Sequence, residues 1–154
     1  MRIEFIRVSP IPISSAETGS RIVDRSYHSL SEQQMADLYR EADIFISSSL
    51  EGEGFGLPAI EAMSCGTPCV LTEIRSYQNF DRIRNFAFFV PTHQPLKIAE
   101  AVKEIVYDRT LRGNLIKRGF EIAEKFSLEN TAKRLLKVIH EIILNEGERK
   151  CRVS

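Results

Sequence analysis

The apolar positions of this chain change period several times, and each change marks an element. Over Arg2 to Val8, Ile3, Phe5 and Arg7 alternate with Glu4, Ile6 and Val8, a two-residue period that predicts a first strand. Ser9 to Ser20 carries Pro10, Pro12 and Gly19 and reads as a loop, and Arg21 to Tyr27 reads as a weaker second strand. Ser31 and Gln34 have the spacing of a capping box. Met35, Leu38, Tyr39 and Ala42 then form one helical stripe. Asp43 to Ser47 has an apolar centre without alternation, the pattern of a strand buried on both faces. A glycine-rich loop, Leu50 to Leu57, runs into a helix opened by Pro58 and closed by Gly66 and Pro68. Cys69 to Thr72 predicts another buried strand, Glu73 to Arg84 a short polar connection, and Phe86 to Val90 a further strand.

Beyond Pro91 the pattern is helical. Pro95 to Tyr107 points Ala99, Val102, Ile105 and Val106 inward, and Leu111 to Lys125 does so with Leu115, Ile116, Ile122 and Ala123. Ser127 caps a last helix whose Ala132, Leu135, Leu136, Ile139, Ile142 and Ile143 share one face, and a polar tail covers 145–154. Strands alternating with helices imply βαβ crossovers. The fold class expected is α/β: a parallel sheet of about five strands flanked by helices, in a single domain spanning 1–154 with a helical C-terminal segment.

Composition trims the list of functions. Lysine plus arginine and aspartate plus glutamate each number 21, so the chain lacks the basic excess of a phosphate-backbone binder, and no nucleic-acid partner is expected. The longest apolar run, Phe86 to Val90, is far short of the ~18 residues of a membrane span. Arg2, Glu4 and Arg7 interrupt the N-terminus where a signal peptide would be apolar, and with three cysteines a cytoplasmic location with reduced thiols is expected. Cys65 and Cys69 read as packing residues, as does His140 on its amphipathic helix. His28, His93 and His140 share no metal-ligand spacing, so no metal is expected. Arg149, Lys150 and Arg152 read as a solvated tail.

Chemistry concentrates after Ser47. Gly52, Gly54 and Gly56 let the backbone approach a ligand closely. The helix beyond Leu57 offers N-terminal amides and a partial positive charge, a site for phosphate or diphosphate. Glu61 lies one turn in, and helical side chains lean toward the N-terminus, so its carboxylate suits the paired hydroxyls of a ribose. Glu53, on the loop, can accept from hydroxyls beyond the phosphates. The combination describes a diphosphate between two polyols. The dinucleotide fingerprint G-x-G-x-x-G fails at Leu57, so a nicotinamide cofactor is not expected, and no other cofactor is.

Seven residues separate Glu53 from Glu61, and with EGFGLP ahead and EA, G and P behind, this resembles the Glu-x7-Glu element of family-4 glycosyltransferases, whose fold is GT-B. Tyr27 to Ser31, Leu38 to Asp43 (similar to "LY..AD"), Gly66 to Thr72 (similar to "G.PVV.T") and Phe126 to Glu129 (similar to "FSWE") extend the resemblance over residues 22 to 143. It implies most of a donor-binding, Rossmann-like domain, truncated on its N-terminal side, from a retaining-type enzyme that moves a sugar from a nucleotide diphosphate sugar to an acceptor. By resemblance, Glu53 contacts the donor sugar, Glu61 the ribose, and Gly54, Phe55, Gly56 and Leu57 hold the diphosphate or sugar. Tyr27 to Leu30 would lie near the base. The chain departs from the family in lacking the acceptor domain and the first strand–helix unit, with its arginine and lysine. It also carries Arg75-Ser76 where the family has Gly-Gly. The chain is therefore expected to be inactive alone. It would be a fragment of a transferase, a subunit completed by an acceptor-domain partner, or a non-catalytic nucleotide-binding module, with self-association expected at the Arg2 to Val8 edge.

Overall fold

The computed structural model describes residues 3–9 and 23–151, with side chains up to residue 143. The chain divides into two compact units, Met1–Leu38 and Tyr39–Ser154. Most of the expected loop over Ser9 to Ser20, and Arg2 and Arg21 with it, lies outside the described residues.

In the first unit, β1 (Ile6–Val8) pairs in parallel with β2 (Arg25–Tyr27), Ile6 opposite Arg25 and Val8 opposite Tyr27. Both strands are shorter than their sequence patterns suggested. At Phe5 the backbone N–H donates to the Asp24 carboxylate (2.9 Å) rather than to a neighbouring strand, so the ladder begins one residue later. Helix α1 (Glu32–Glu41) follows and crosses into the second unit. Its capping box is reciprocal: the Gln34 N–H donates to Ser31 Oγ (3.3 Å), and the Ser31 N–H donates to Gln34 Oε1 (2.9 Å).

The second unit is built on a parallel sheet of order β3-β4-β5, formed by Phe45–Ser47, Cys69–Thr72 and Phe88–Val90. Phe45 stands opposite Cys69, and Val70 opposite Phe88. Central β4 is buried throughout, as its unbroken apolar run requires. Strand β3 is half-buried rather than wholly buried, because it is paired on one side only within this unit's sheet. The Cys69 thiol is fully buried, and burial pushes its pKa up.

Helix α2 (Leu57–Ser64) ends in a Schellman motif, in which the Gly66 N–H donates to Met63 O (3.1 Å) and the Thr67 N–H to Ala62 O (3.0 Å). The segment Glu73 to Arg84, expected to be a polar connection, is instead partly core. It contains α3 (Arg75–Gln78), and Ile74, Tyr77 and Phe80 are buried. Phe80 centres an aromatic cluster with Tyr77, Phe86, Phe126 and Phe55, at ring separations of 5.5 to 6.0 Å. Helices α4 (Pro95–Tyr107) and α5 (Arg109–Lys125) are separated at Asp108, whose carboxylate accepts from the Leu111 N–H (2.9 Å). The buried residues of α4 are Ala101 and Ile105, while Ala99, expected inside, is exposed; the inward face is rotated to include Ile98. On α5, Leu115, Gly119, Ile122 and Ala123 are buried. A Cβ added to Gly119 would lie 3.1 Å from Met63 Cγ, so α5 rests closely on α2 at this point.

Helix α6 (Leu128–Cys151) begins with Ser127 Oγ accepting from the Asn130 N–H (3.3 Å), as its capping pattern requires, and continues into the polar tail as far as Cys151. Its apolar face is not inside. Leu135, Leu136, Ile139, Ile142 and Ile143, which share that face, are all exposed among the described residues. Among the described residues, no helix is long and apolar enough to cross a membrane.

Candidate functional site

The loop after β3 is fixed to the carboxyl end of the sheet by hydroxyl groups. Thr72 at the end of β4 donates to Ser49 O (2.5 Å), and Ser76 in α3 donates to Glu53 O (2.5 Å) and Gly54 O (3.2 Å). Ser47 Oγ lies 2.6 Å from Tyr77 Oη and 3.0 Å from Ser49 Oγ. Ser49 Oγ in turn donates to Glu53 Oε2 (3.2 Å). Glu53 is thus the end of a hydroxyl chain that starts at a buried tyrosine.

Between Glu53 and the helix, each expected loop residue has a distinct setting. Gly54 gives a carbonyl to Ser76. Phe55 lays its ring against Phe80 and Phe126 and remains about half exposed. Gly56 is the N-cap of α2 in the left-handed conformation (φ +86°), and an added Cβ would run into the Tyr77 ring. Here glycine is required twice, by backbone angle and by the close approach of the loop to α3. Leu57 is the exposed first helical residue. Pro58 has no N–H, the Ala59 N–H returns to Gly56 O (3.1 Å), and no side chain caps the helix. The Leu57 amide and the helix dipole therefore face outward at the mouth.

Glu61, exposed on the next turn, has a partner that the sequence did not reveal. The hydroxyl of Tyr39, at the end of α1, donates to Glu61 Oε2 (3.1 Å). Tyr39 is itself buried, with its carbonyl accepting from Thr67 Oγ1 (2.5 Å) and its ring edge-on to Phe45 at 5.8 Å. Burial, then the Glu61 charge and hydrogen bond, raise the phenol pKa, so this hydroxyl stays protonated and donating through the physiological range. The signal was present: a tyrosine in an apolar helical stripe needs a partner for its hydroxyl. Each glutamate thus has one oxygen engaged, Glu53 through Ser49 and Glu61 through Tyr39.

From Ser47 to Ser64 the sequence has no lysine or arginine, so this stretch offers an anion amides and a helix dipole but no fixed cation. A hollow of about 240 Å³ lies beside the loop at the carboxyl ends of the three strands, between Ser48, Thr72 and His93. A larger groove of about 600 Å³ runs instead between β5 and α5, past Asn85, Phe88 and Asn114. None of the expected donor residues lines either one.

The chain is similar to known proteins in sequence and in fold. The family model for glycosyl transferases group 1 matches residues 25–122. A D-inositol 3-phosphate glycosyltransferase of Rhodococcus erythropolis is 32% identical over 113 residues, covering 73% of this chain and 25% of that protein. The sucrose-phosphate synthase structure from Thermosynechococcus elongatus superposes with a TM-score of 0.68 at 26% identity, over 78% of this chain and 30% of that one. The C-terminal domain of a glycosyl transferase group 1 family protein from Francisella tularensis superposes with a TM-score of 0.59 at 21% identity, covering 73% and 59% respectively. The chain spans between a quarter and three tenths of the length of the first curated relatives it matches.

Proposed function

Because the chain belongs to the group 1 glycosyl transferases and carries part of a GT-B fold, we propose that it is the donor-binding portion of a retaining-type transferase, taking a nucleotide diphosphate sugar. In this reading, Glu53 accepts from hydroxyls of the donor sugar and Glu61 from the ribose. Gly54 to Leu57 present amides to the diphosphate, where the helix N-terminus stabilises charge on the departing group.

One observation carries the reading: two glutamates on either side of an uncapped helix N-terminus, each braced by a hydroxyl that leaves its second oxygen for a ligand. The bracing fixes carboxylate orientation, which a diol acceptor needs and a merely solvated glutamate does not. Transfer itself requires an acceptor site and cations on the diphosphate, which we assign to a further domain or partner chain. The isolated chain then binds donor without turnover.

Titration calorimetry with a nucleoside diphosphate and the matching nucleotide sugar tests the reading. Glu61→Ala should weaken both ligands by about 10- to 150-fold, the equivalent of ~1.5–3 kcal/mol for a hydrogen bond to a charged group. Glu53→Ala should weaken only the sugar-bearing ligand, since ribose is common to both. Equal binding of the plain nucleotide by Glu61→Ala and the parent would remove the ribose assignment. Absence of binding by the parent would reject the donor-binding module as a whole.

A further inference from the structure

Helix α3 holds the glycine-rich loop with two consecutive side chains. Tyr77 is buried, with its ring against Gly56 and its hydroxyl 2.6 Å from Ser47 Oγ. Ser76, half-buried beside it, donates to Glu53 O (2.5 Å) and Gly54 O (3.2 Å). A serine has one hydroxyl hydrogen, so the two carbonyls share it and both point at α3. Peptide units are planar, and among the described residues none is cis. In a trans unit the N–H of the following residue points opposite to the carbonyl. Fixing Glu53 O therefore fixes the Gly54 N–H, and fixing Gly54 O fixes the Phe55 N–H, both directed away from α3. Gly54 and Phe55 are exposed, and neither N–H donates to another described residue. A Cβ added to Gly54 would meet nothing within 4 Å, so the loop is open there.

We propose that Ser76 is a positioning residue of the donor site, whose hydroxyl aims the Gly54 and Phe55 N–H groups as a pair at the diphosphate. The proposal rests on the donor-binding reading given above. Successive N–H groups on one side of a turn form an anion-binding concavity. From Ser47 to Ser64 there is no lysine or arginine, so the aim of these amides decides what the loop contributes to binding. An amide free to rotate must be ordered when the ligand arrives, at a cost in affinity that a preset amide avoids. Tyr77 anchors α3 in the core, so the tether runs to a rigid support. Glycine, which the family pattern has at this position, has no hydroxyl with which to make it.

Amide-resolved NMR of the full chain tests this, with inorganic pyrophosphate added to about 20 mM against chloride of equal ionic strength. The Gly54 and Phe55 amide resonances should shift in the parent. Ser76→Ala should keep the parent's circular dichroism and weaken pyrophosphate binding about 2- to 12-fold, the range of one neutral hydrogen bond. The shifts at these two amides should shrink most. Ser76→Thr retains the hydroxyl and should restore the parent's binding and shifts. Parent shifts that spare Gly54 and Phe55 overturn the proposal. So does a Ser76→Ala variant that binds like the parent, or a Ser76→Thr variant that binds like Ser76→Ala. Calorimetry of the parent with UDP, GDP and ADP reads the donor assignment separately. Pyrophosphate binding at these amides without binding of any of the three nucleotides rejects the donor reading and supports the tether. Nucleotide binding that leaves both amides unshifted does the reverse.

Discussion

Helices α5 and α6 are neighbours in sequence, and both carry aliphatic side chains at helical spacing, yet they have opposite fates. On α5, Ile122 is fully buried, Leu115 is 4% exposed, and Gly119 allows α2 to come close at Met63. On α6, Ile142 and Ile143 stay 54% and 61% exposed. Their polar contacts differ in the same sense. Arg118 and Lys125 of α5 reach across the chain to Asp81 (2.9 Å each), and Arg118 also donates to Asn85 (2.8 Å). Lys133 and Lys137 of α6 instead pair with Glu129 and Glu141, four residues away on their own helix. The lesson is that amphipathic periodicity states that a face needs cover, not which surface supplies it. A small residue at the crossing point, such as Gly119, is what commits α5 to α2.

The widest gap between the two helices should come from truncating equivalent isoleucines. Ile122→Ala should lose about 2–5 kcal/mol in urea denaturation, because a fully buried side chain leaves a cavity. Ile142→Ala, in dilute chain, should stay within about 0.5 kcal/mol of the parent, as exposed substitutions usually do. Comparable losses at both positions would mean that α6 is covered within the chain. Gly56→Ala probes the packed side next, where α2 starts. The left-handed backbone costs a Cβ-bearing residue about 1–2 kcal/mol, and overpacking against Tyr77 about 1–3 more. A loss of about 2–5 kcal/mol in the same assay is therefore expected, together with weakened nucleotide binding if the mouth of α2 shifts.

The smallest effect belongs to the Asp81 clamp. The Lys125 hydrogen bond, with the Lys125 and Arg118 charges, holds the Asp81 carboxyl below its ordinary pKa against the opposing effect of desolvation. A depressed native pKa gives stability that is fully present above the unfolded value of about 3.9 and is lost as pH falls through the native one. Asp81→Asn should lower the urea midpoint slightly at pH 7, and below about pH 5 it should lose less further stability than the parent. Midpoints that fall in parallel for the two proteins down to about pH 3 would assign the acid sensitivity to other carboxylates.

Legibility from sequence followed the locality of each signal. The capping box at Ser31 and Gln34, Pro58 at the start of α2, Gly66 at its end and the bounds of α4 were all readable, because each is satisfied within a few residues. The strand at Cys69 was readable because burial on both faces leaves an uninterrupted apolar run, and the apolar run Phe86 to Val90 located β5, although the strand itself starts at Phe88 and Phe88 and Phe89 are half-buried. Glu73 to Arg84 misled because Arg75, Asp81, Arg82 and Arg84 surround Ile74, Tyr77 and Phe80. Mean polarity hid three core residues at three-residue spacing.

At the candidate site, the two glutamates stood out through spacing and resemblance. Their partners Ser49 and Tyr39 did not, since Tyr39 is 22 residues from Glu61 and meets it only after the chain folds. The same holds for Ser76. It stands where the family pattern has glycine, and its hydroxyl ties down the carbonyls of Glu53 and Gly54.

The burial of Cys69 has a practical corollary. Cys65 and Cys69 are four residues apart, one half-exposed at the end of a helix and the other sealed in the central strand with its thiol pKa raised. A thiol reagent needs the thiolate, so it modifies Cys65 in the native chain but reaches Cys69 only when β4 leaves the sheet. Peptide-resolved alkylation would therefore time two events in one experiment: the local accessibility of a helix terminus and the much rarer opening of the sheet. The pair is an internal stopwatch for how often the scaffold beneath the glycine-rich loop comes apart.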